Sequence, residues 1–305
     1  MKFSTGIPGL QDFQAEPWMA GIKAPEFQRA CRRLEAIGFD GLDTPEHLAL
    51  DAKLIPTLGA RWPQAVAAMS FFAGATERMC VNTSILILPL HHPVNLAKAM
   101  ATLDQLSGGR AMLSVGLGHG EAEFRALGVP WNERGKIADE YLQAMKVLWT
   151  DDVPKFAGRY VSFDGIVFEP KPIQRPFPVW IGGNSEKSLR RAVRFGTGWR
   201  PWQVGLEELP LWKDKLAALA ESFGRTDPID LHILSVPTGV GPDHKPLAGG
   251  RPQDLSTSEL VDRIHCLEQL GVTWTSLRPI RGARSLDEYL DLTEARHGPV
   301  IAQCR

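Results

Sequence analysis

A short apolar run followed by an amphipathic helical stretch recurs eight times along this chain, and that alternation restricts the fold more than any other feature. Strands are expected at residues 2–8, 39–43, 78–88, 110–115, 179–183, 198–202, 229–239 and 272–277. Helices are expected after each, opening near Pro25, Pro63, Val94, Asn132, Glu186, Leu206, Thr257 and Leu286. Strands separated by helices must pair in parallel, because a parallel neighbour needs a crossover connection. The pattern predicts an α/β fold, a (β/α)8 TIM barrel; an open doubly wound sheet, one or two strands different in count, is the alternative. Residues 151–178 break the alternation. Gly158, Gly165, Pro170, Pro172, Pro176 and Pro178 punctuate short runs such as 160–163 and 166–168. They predict a β-hairpin excursion after the fourth strand–helix pair. Residues 1–305 thus read as a single barrel domain with an insertion at about 151–178.

The segment from Thr83 to Gly128 shows the unit most clearly. An apolar strand ends at Pro89, and Leu96, Met100 and Leu103 form a helical stripe. Gly108 and Gly109 then stop the helix, and a second strand runs into Gly116-Leu117-Gly118-His119-Gly120. Parallel α/β folds place ligands at such strand C-termini. The glycine loop lacks dinucleotide spacing, since Glu121 stands where the fingerprint needs a glycine. A tight turn explains it equally well. Gly182-Gly183-Asn184-Ser185 is the stronger anion signal. Two glycines admit close approach, and N–H groups at a helix N-terminus favour negative charge. The other reading is an ordinary cap.

Formal charge is −1, which argues against nucleic acid or an anionic membrane as the main partner. The start of the chain lacks the apolar run of a signal peptide. No apolar run is long enough to span a bilayer. Four cysteines without a CxxC pair read as reduced thiols in a cytoplasmic protein with no metal site. His91-His92 lacks a third ligand and reads as helix entry. His47, just past the second strand, is placed to give or take a proton at a ligand, with Glu46 either orienting its ring or touching a cofactor. Trp199 and Trp202 either wall a flat ligand or pack in the core.

The sequence resembles the luciferase-like monooxygenase superfamily, particularly its F420-dependent oxidoreductase branch. The matching segments run from Glu35 through Glu46-His47, then His92-Pro93 to Leu103-Asp104-Gln105-Leu106-Ser107-Gly108-Gly109-Arg110. Glu123-Phe124-Arg125-Ala126-Leu127-Gly128, Phe168-Glu169-Pro170-Lys171-Pro172 and Trp180-Ile181-Gly182-Gly183-Asn184-Ser185 follow. The resemblance implies a barrel that holds reduced flavin or deazaflavin at the strand C-termini. It implies a cis peptide at Ser84-Ile85 behind the ring, and His47 as the active-site histidine. Gly116, Gly118, His119, Gly182, Gly183, Asn184 and Ser185 fall on segments that hold the cofactor's tail and phosphate. Glu46 and Trp202 join the candidate cofactor contacts. Homodimers paired through the helices at 63–75 and 94–106 are implied as well. Two departures stand out: His119 replaces a frequent Trp, and Asp43-Thr44-Pro45-Glu46-His47 replaces a common Trp-x-x-Asp-His.

Three functions follow as expectations. The first is hydride transfer between F420 and a small organic substrate. The second is an FMN-dependent monooxygenase supplied by a separate reductase. The third is a non-catalytic flavin-binding barrel. Residues 11–23, 48–62 and 240–256 are expected to shape the substrate pocket.

Overall fold

The computed structural model describes residues 1–13, 15–202, 204–236 and 255–305. Among them, eight parallel strands close into a TIM barrel. They are β1 (Lys2–Gly6), β2 (Gly41–Thr44), β3 (Cys80–Thr83), β4 (Ala111–Gly116), β5 (Val179–Gly182), β6 (Gly198–Arg200), β7 (Asp230–Leu234) and β8 (Trp274–Ser276). Each pairs with the next, and Ser4 of β1 opposite Ser276 of β8 completes the ring. The open-sheet alternative is thereby excluded.

The helices on the outside are α1 (Ala24–Ile37), α2 (Ala65–Ala75), α3 (Pro93–Ser107), α4 (Arg134–Thr150), α5 (Glu186–Phe195), α6 (Leu209–Ser222), α7 (Thr257–Gln269) and α8 (Leu286–Gln303). Strands enclosed on both faces alternate between two interiors. Phe3, Leu42, Val81, Leu113, Ile181, Trp199, Leu231 and Ile233 point outward into the layer shared with the helices. Met112, Trp180 and Trp274 point inward as a separate apolar plug. The next inward layer is polar: Ser4, Asp43, Asn82, Ser114, Arg200 and His232 are all buried.

Four local expectations change. The hairpin pairs Phe156–Ala157 with Ser162–Phe163, and residues 166–168 take no part. The Glu140 carboxylate explains the choice, since it accepts the N–H groups of Arg159, Tyr160 and Val161 and pins the turn to α4. The strand expected over 78–88 is interrupted. Its pairing stops at Thr83 and resumes at Leu86–Ile87, with a cis Ser84–Ile85 peptide between. The last helix, expected over 286–296, runs on through Pro299 to Gln303, because Val300 and Ile301 continue its buried stripe. A helix not expected from sequence, Glu121–Ala126, follows the glycine loop. Residues 237–254, most of the expected pocket loop at 240–256, lie outside the described residues.

Candidate active site

His47 lies three residues beyond β2, and its side chain is 7% exposed. Its Nδ1 is 3.1 Å from Glu123 Oε2, and Glu123 is buried. The other carboxylate oxygen accepts the backbone N–H groups of Leu48 (2.5 Å) and Ala49 (3.1 Å). One carboxylate therefore fixes both the imidazole and the loop that carries it. Burial pushes the Glu123 carboxyl up, but hydrogen bonds from His47 and these amides outweigh it and hold it below its ordinary value. An ionised Glu123 can only accept, so Nδ1 carries a hydrogen toward it and Nε2 is the ring atom left to meet a ligand. Two further rings meet His47 edge-on: Trp62 at 4.7 Å and His119 at 5.1 Å between centroids. Phe13 stacks on Trp62 in turn.

Glu46 does not orient His47. Its Oε1 accepts the Ala65 N–H at the start of α2, and its Oε2 is 2.7 Å from His91 Nε2. Both oxygens are engaged within the protein, so Glu46 ties β2 to α2 and to the entry of α3. The partner that orients His47 is Glu123, which sequence reasoning quoted only as part of a motif. It lies 76 residues away, on a helix not foreseen.

The glycines serve distinct purposes. A side chain on Gly182 would run into Ile85 Cδ1, and a Cβ on Gly116 would lie 3.1 Å from Ile85 Cγ2. Ile85 thus lies across both strand ends, and Ser84, Ile85, Gly116 and Gly182 form one packed shelf at the mouth. This explains the first glycine of the pair without invoking an anion. Gly118 has φ +72°, and a Cβ there would meet Ile87 and Phe124 within 2.9 Å. Gly183 has φ +111° and makes the turn into α5.

Asn184 and Ser185 are committed locally. The Asn184 amide bonds the backbone N–H and C=O of Trp202, joining the ends of β5 and β6. Ser185 and Ser188 form a reciprocal capping box at the start of α5. Trp199 is fully buried and donates to the Gly183 carbonyl at 2.9 Å, so it belongs to the core. The Trp202 indole N–H is buried and has no hydrogen-bond partner among the described residues.

Below the shelf sits a buried ion pair absent from sequence reasoning. Arg200 grips Asp43 through two bonds, of 3.0 and 2.8 Å. Ser4 and Ser276 also donate to Asp43, at 2.8 and 2.7 Å. Burial raises the Asp43 pKa, but the Arg200 charge, with hydrogen bonds from Arg200 and Ser276, outweighs it and holds the carboxyl below its ordinary value. His232 faces the same cluster through Ser276, at 2.9 Å. Burial, helped by Arg200, pushes His232 down to about 3, so it is neutral near pH 7. His232 Nε2 also faces Ser4 Oγ, at 3.3 Å.

The closed parallel barrel agrees with what comparison with known proteins shows. A family description, luciferase-like monooxygenase, matches residues 3–246, and the chain belongs to that family. An uncharacterized protein of Mycobacterium tuberculosis is 31% identical over 223 residues, covering 68% of this chain and 79% of that one. An FMNH2-dependent dimethylsulfone monooxygenase of Pseudomonas putida is 35% identical over 166 residues, 53% of this chain and 46% of that one. Among solved structures, an F420-dependent secondary alcohol dehydrogenase superposes with a TM-score of 0.76 at 18% identity, covering 100% and 99% of the two chains. The chain is thus a luciferase-like oxidoreductase or monooxygenase, with an FMNH2-dependent enzyme among its relatives and an F420-dependent enzyme among the structures that share its fold.

Proposed function

We propose that this chain passes hydride between F420 and a small organic substrate held in the barrel mouth, with His47 moving the accompanying proton. The observation that carries this reading is the His47–Glu123 pair beside the Ser84–Ile85 shelf. With Nδ1–H held by the carboxylate, Nε2 takes a proton from an alcohol or, once protonated, returns it to a carbonyl. The hydride acceptor or donor would be the deazaflavin carbon C5, which F420 supplies when bound.

The residues present fit a flat ring with a phosphate-bearing tail. Ser84 and Ile85 offer a shelf closed beneath by Gly116 and Gly182. The buried Trp202 N–H fits a polar acceptor. Since Asn184 and Ser185 are already engaged, a phosphate would meet the backbone N–H groups at the start of α5 rather than these side chains. Gly118 and His119 would border the tail, and Phe13 and Trp62 the substrate.

The dimethylsulfone monooxygenase match favours a second reading, in which the mouth holds reduced FMN delivered by a separate reductase and shields it from water. Titration of purified protein with F420 and with FMN, followed by turnover with and without oxygen, separates the two. Tight F420 binding with oxygen-independent turnover supports the first. Reduced-FMN binding with oxygen consumption replaces it with the second. Binding without turnover of any substrate, unaltered in His47→Ala, refutes both.

The same reading includes a homodimer formed through α2 and α3. Ten of the eleven residues of α2 are apolar or glycine, yet Ala67, Phe71 and Gly74 are exposed, and Leu106 on α3 is 84% exposed. Light scattering that returns a monomer refutes this part.

A further inference from the structure

We infer that Arg200 is a positioning residue that turns the Ser84 hydroxyl into a directed, polarised donor at the floor of the mouth. This rests on the reading that a flavin or deazaflavin ring lies there, and it adds which atom meets the ring and what drives it. Arg200 Nη2 donates to Asp43 Oδ2 at 2.8 Å and to Ser84 Oγ at 2.9 Å, with a longer contact to Ser276 Oγ at 3.4 Å. The guanidinium is buried and charged, and four donors saturate its Asp43 partner. Among the described residues Asp43 is the one carboxylate paired with it, and Ser84 is its route toward the mouth.

A hydroxyl that accepts from a cation spends a lone pair on it and becomes a stronger donor through its own hydrogen. Among the described residues nothing accepts the Ser84 hydrogen, and Ser84 is half-buried where its neighbours below are fully buried. The hydrogen is thus left for a ligand. Its partner must be an electron-rich acceptor, such as a ring nitrogen or carbonyl of a tricyclic cofactor, whose basicity rises on reduction. Charge at this point is fixed: the Asp43–Arg200 pair is neutral as a unit and His232 is uncharged. What reaches the mouth is a dipole with its positive end forward.

The test uses oxidised FMN and oxidised F420 in turn, on wild type, Ser84→Ala, Ser84→Thr and the double variant Asp43→Leu/Arg200→Met. Kd, the visible spectrum and the midpoint potential of the bound cofactor are measured. Ser84→Ala leaves the ion pair intact and should weaken binding about tenfold. It should also move the potential to a more negative value and shift the visible band. Ser84→Thr restores all three. The double variant keeps the hydroxyl without its polarising cation and should fall between wild type and Ser84→Ala. Ser84→Ala with wild-type affinity, spectrum and potential overturns the inference alone. Wild type that binds neither cofactor overturns it together with the cofactor reading.

Discussion

Glu123 bonds His47 with one carboxylate oxygen and the two residues after His47 with the other. The catalytic candidate and its supporting loop therefore share a single acidic anchor. Glu123→Gln keeps the shape but offers one accepting oxygen. The imidazole loses its fixed tautomer, and turnover should fall on the order of tenfold, against a hundredfold or more for His47→Ala. Steady-state kinetics with a bound-cofactor control for each variant would check this; a Glu123→Gln enzyme with wild-type turnover removes Glu123 from the mechanism.

The same anchor carries a stability prediction. Glu123→Ala strands the Leu48 and Ala49 amides, which should cost about 1–3 kcal/mol and lower Tm by several degrees. The Glu123 pKa is depressed in the folded chain. Its contribution is therefore present above the ordinary glutamate value and disappears as pH falls through the lowered one. Thermal melts of wild type and variant should converge in acid and separate near neutrality.

How much of this was legible beforehand follows from the range of each interaction. Strand and helix positions depend on neighbouring residues, so period and punctuation placed all eight strands and the helices between them. The His47–Glu123 pair depends on groups 76 residues apart, and Asp43–Arg200 on groups 157 apart, which no local pattern encodes. Gly182 shows the same limit from another side. Its glycine is visible in the sequence, but the reason for it, Ile85 arriving from a distant strand, is not. The available signal of the buried pair was a charged residue within a short buried strand at each end of it, Asp43 in the second and Arg200 in the sixth.

Gly182→Ala tests that shelf. The new methyl meets Ile85 Cδ1, with the Val115 carbonyl at 3.2 Å on the other side. Overpacking of this kind should cost about 1–3 kcal/mol and displace Ile85. Ile85→Val removes Cδ1, so the double variant Gly182→Ala/Ile85→Val should recover much of the loss. Denaturant melts of the four members of the cycle give the coupling, and additivity would refute the packing account.

The ion pair predicts a different cycle. Asp43→Asn leaves Arg200 buried without its countercharge and should cost about 3–5 kcal/mol. Removing both charges in Asp43→Leu/Arg200→Met should cost less than the sum of the single changes. A double variant as unstable as that sum would mean that the two side chains act independently.

His232 supplies the last prediction, through pH. Burial, aided by the Arg200 charge, takes its pKa from 6.5 to about 3, so the folded chain holds it neutral while the unfolded chain protonates it below 6.5. The unfolded state then binds more protons, and stability rises with pH across that window. Read downward, the His232 contribution is complete above pH 6.5 and drains steadily toward pH 3. Asp43 joins only lower, since its own pKa is depressed below the aspartate value of 3.8. His232→Gln retains an N–H for Ser276 Oγ but cannot titrate. It should therefore flatten the stability curve between pH 6.5 and about 3 while leaving the slope at lower pH, where carboxylates dominate. Urea midpoints measured at half-unit steps from pH 7 to 3 would show the two curves converging as pH falls, and parallel curves would mean that His232 is not neutral in the folded barrel.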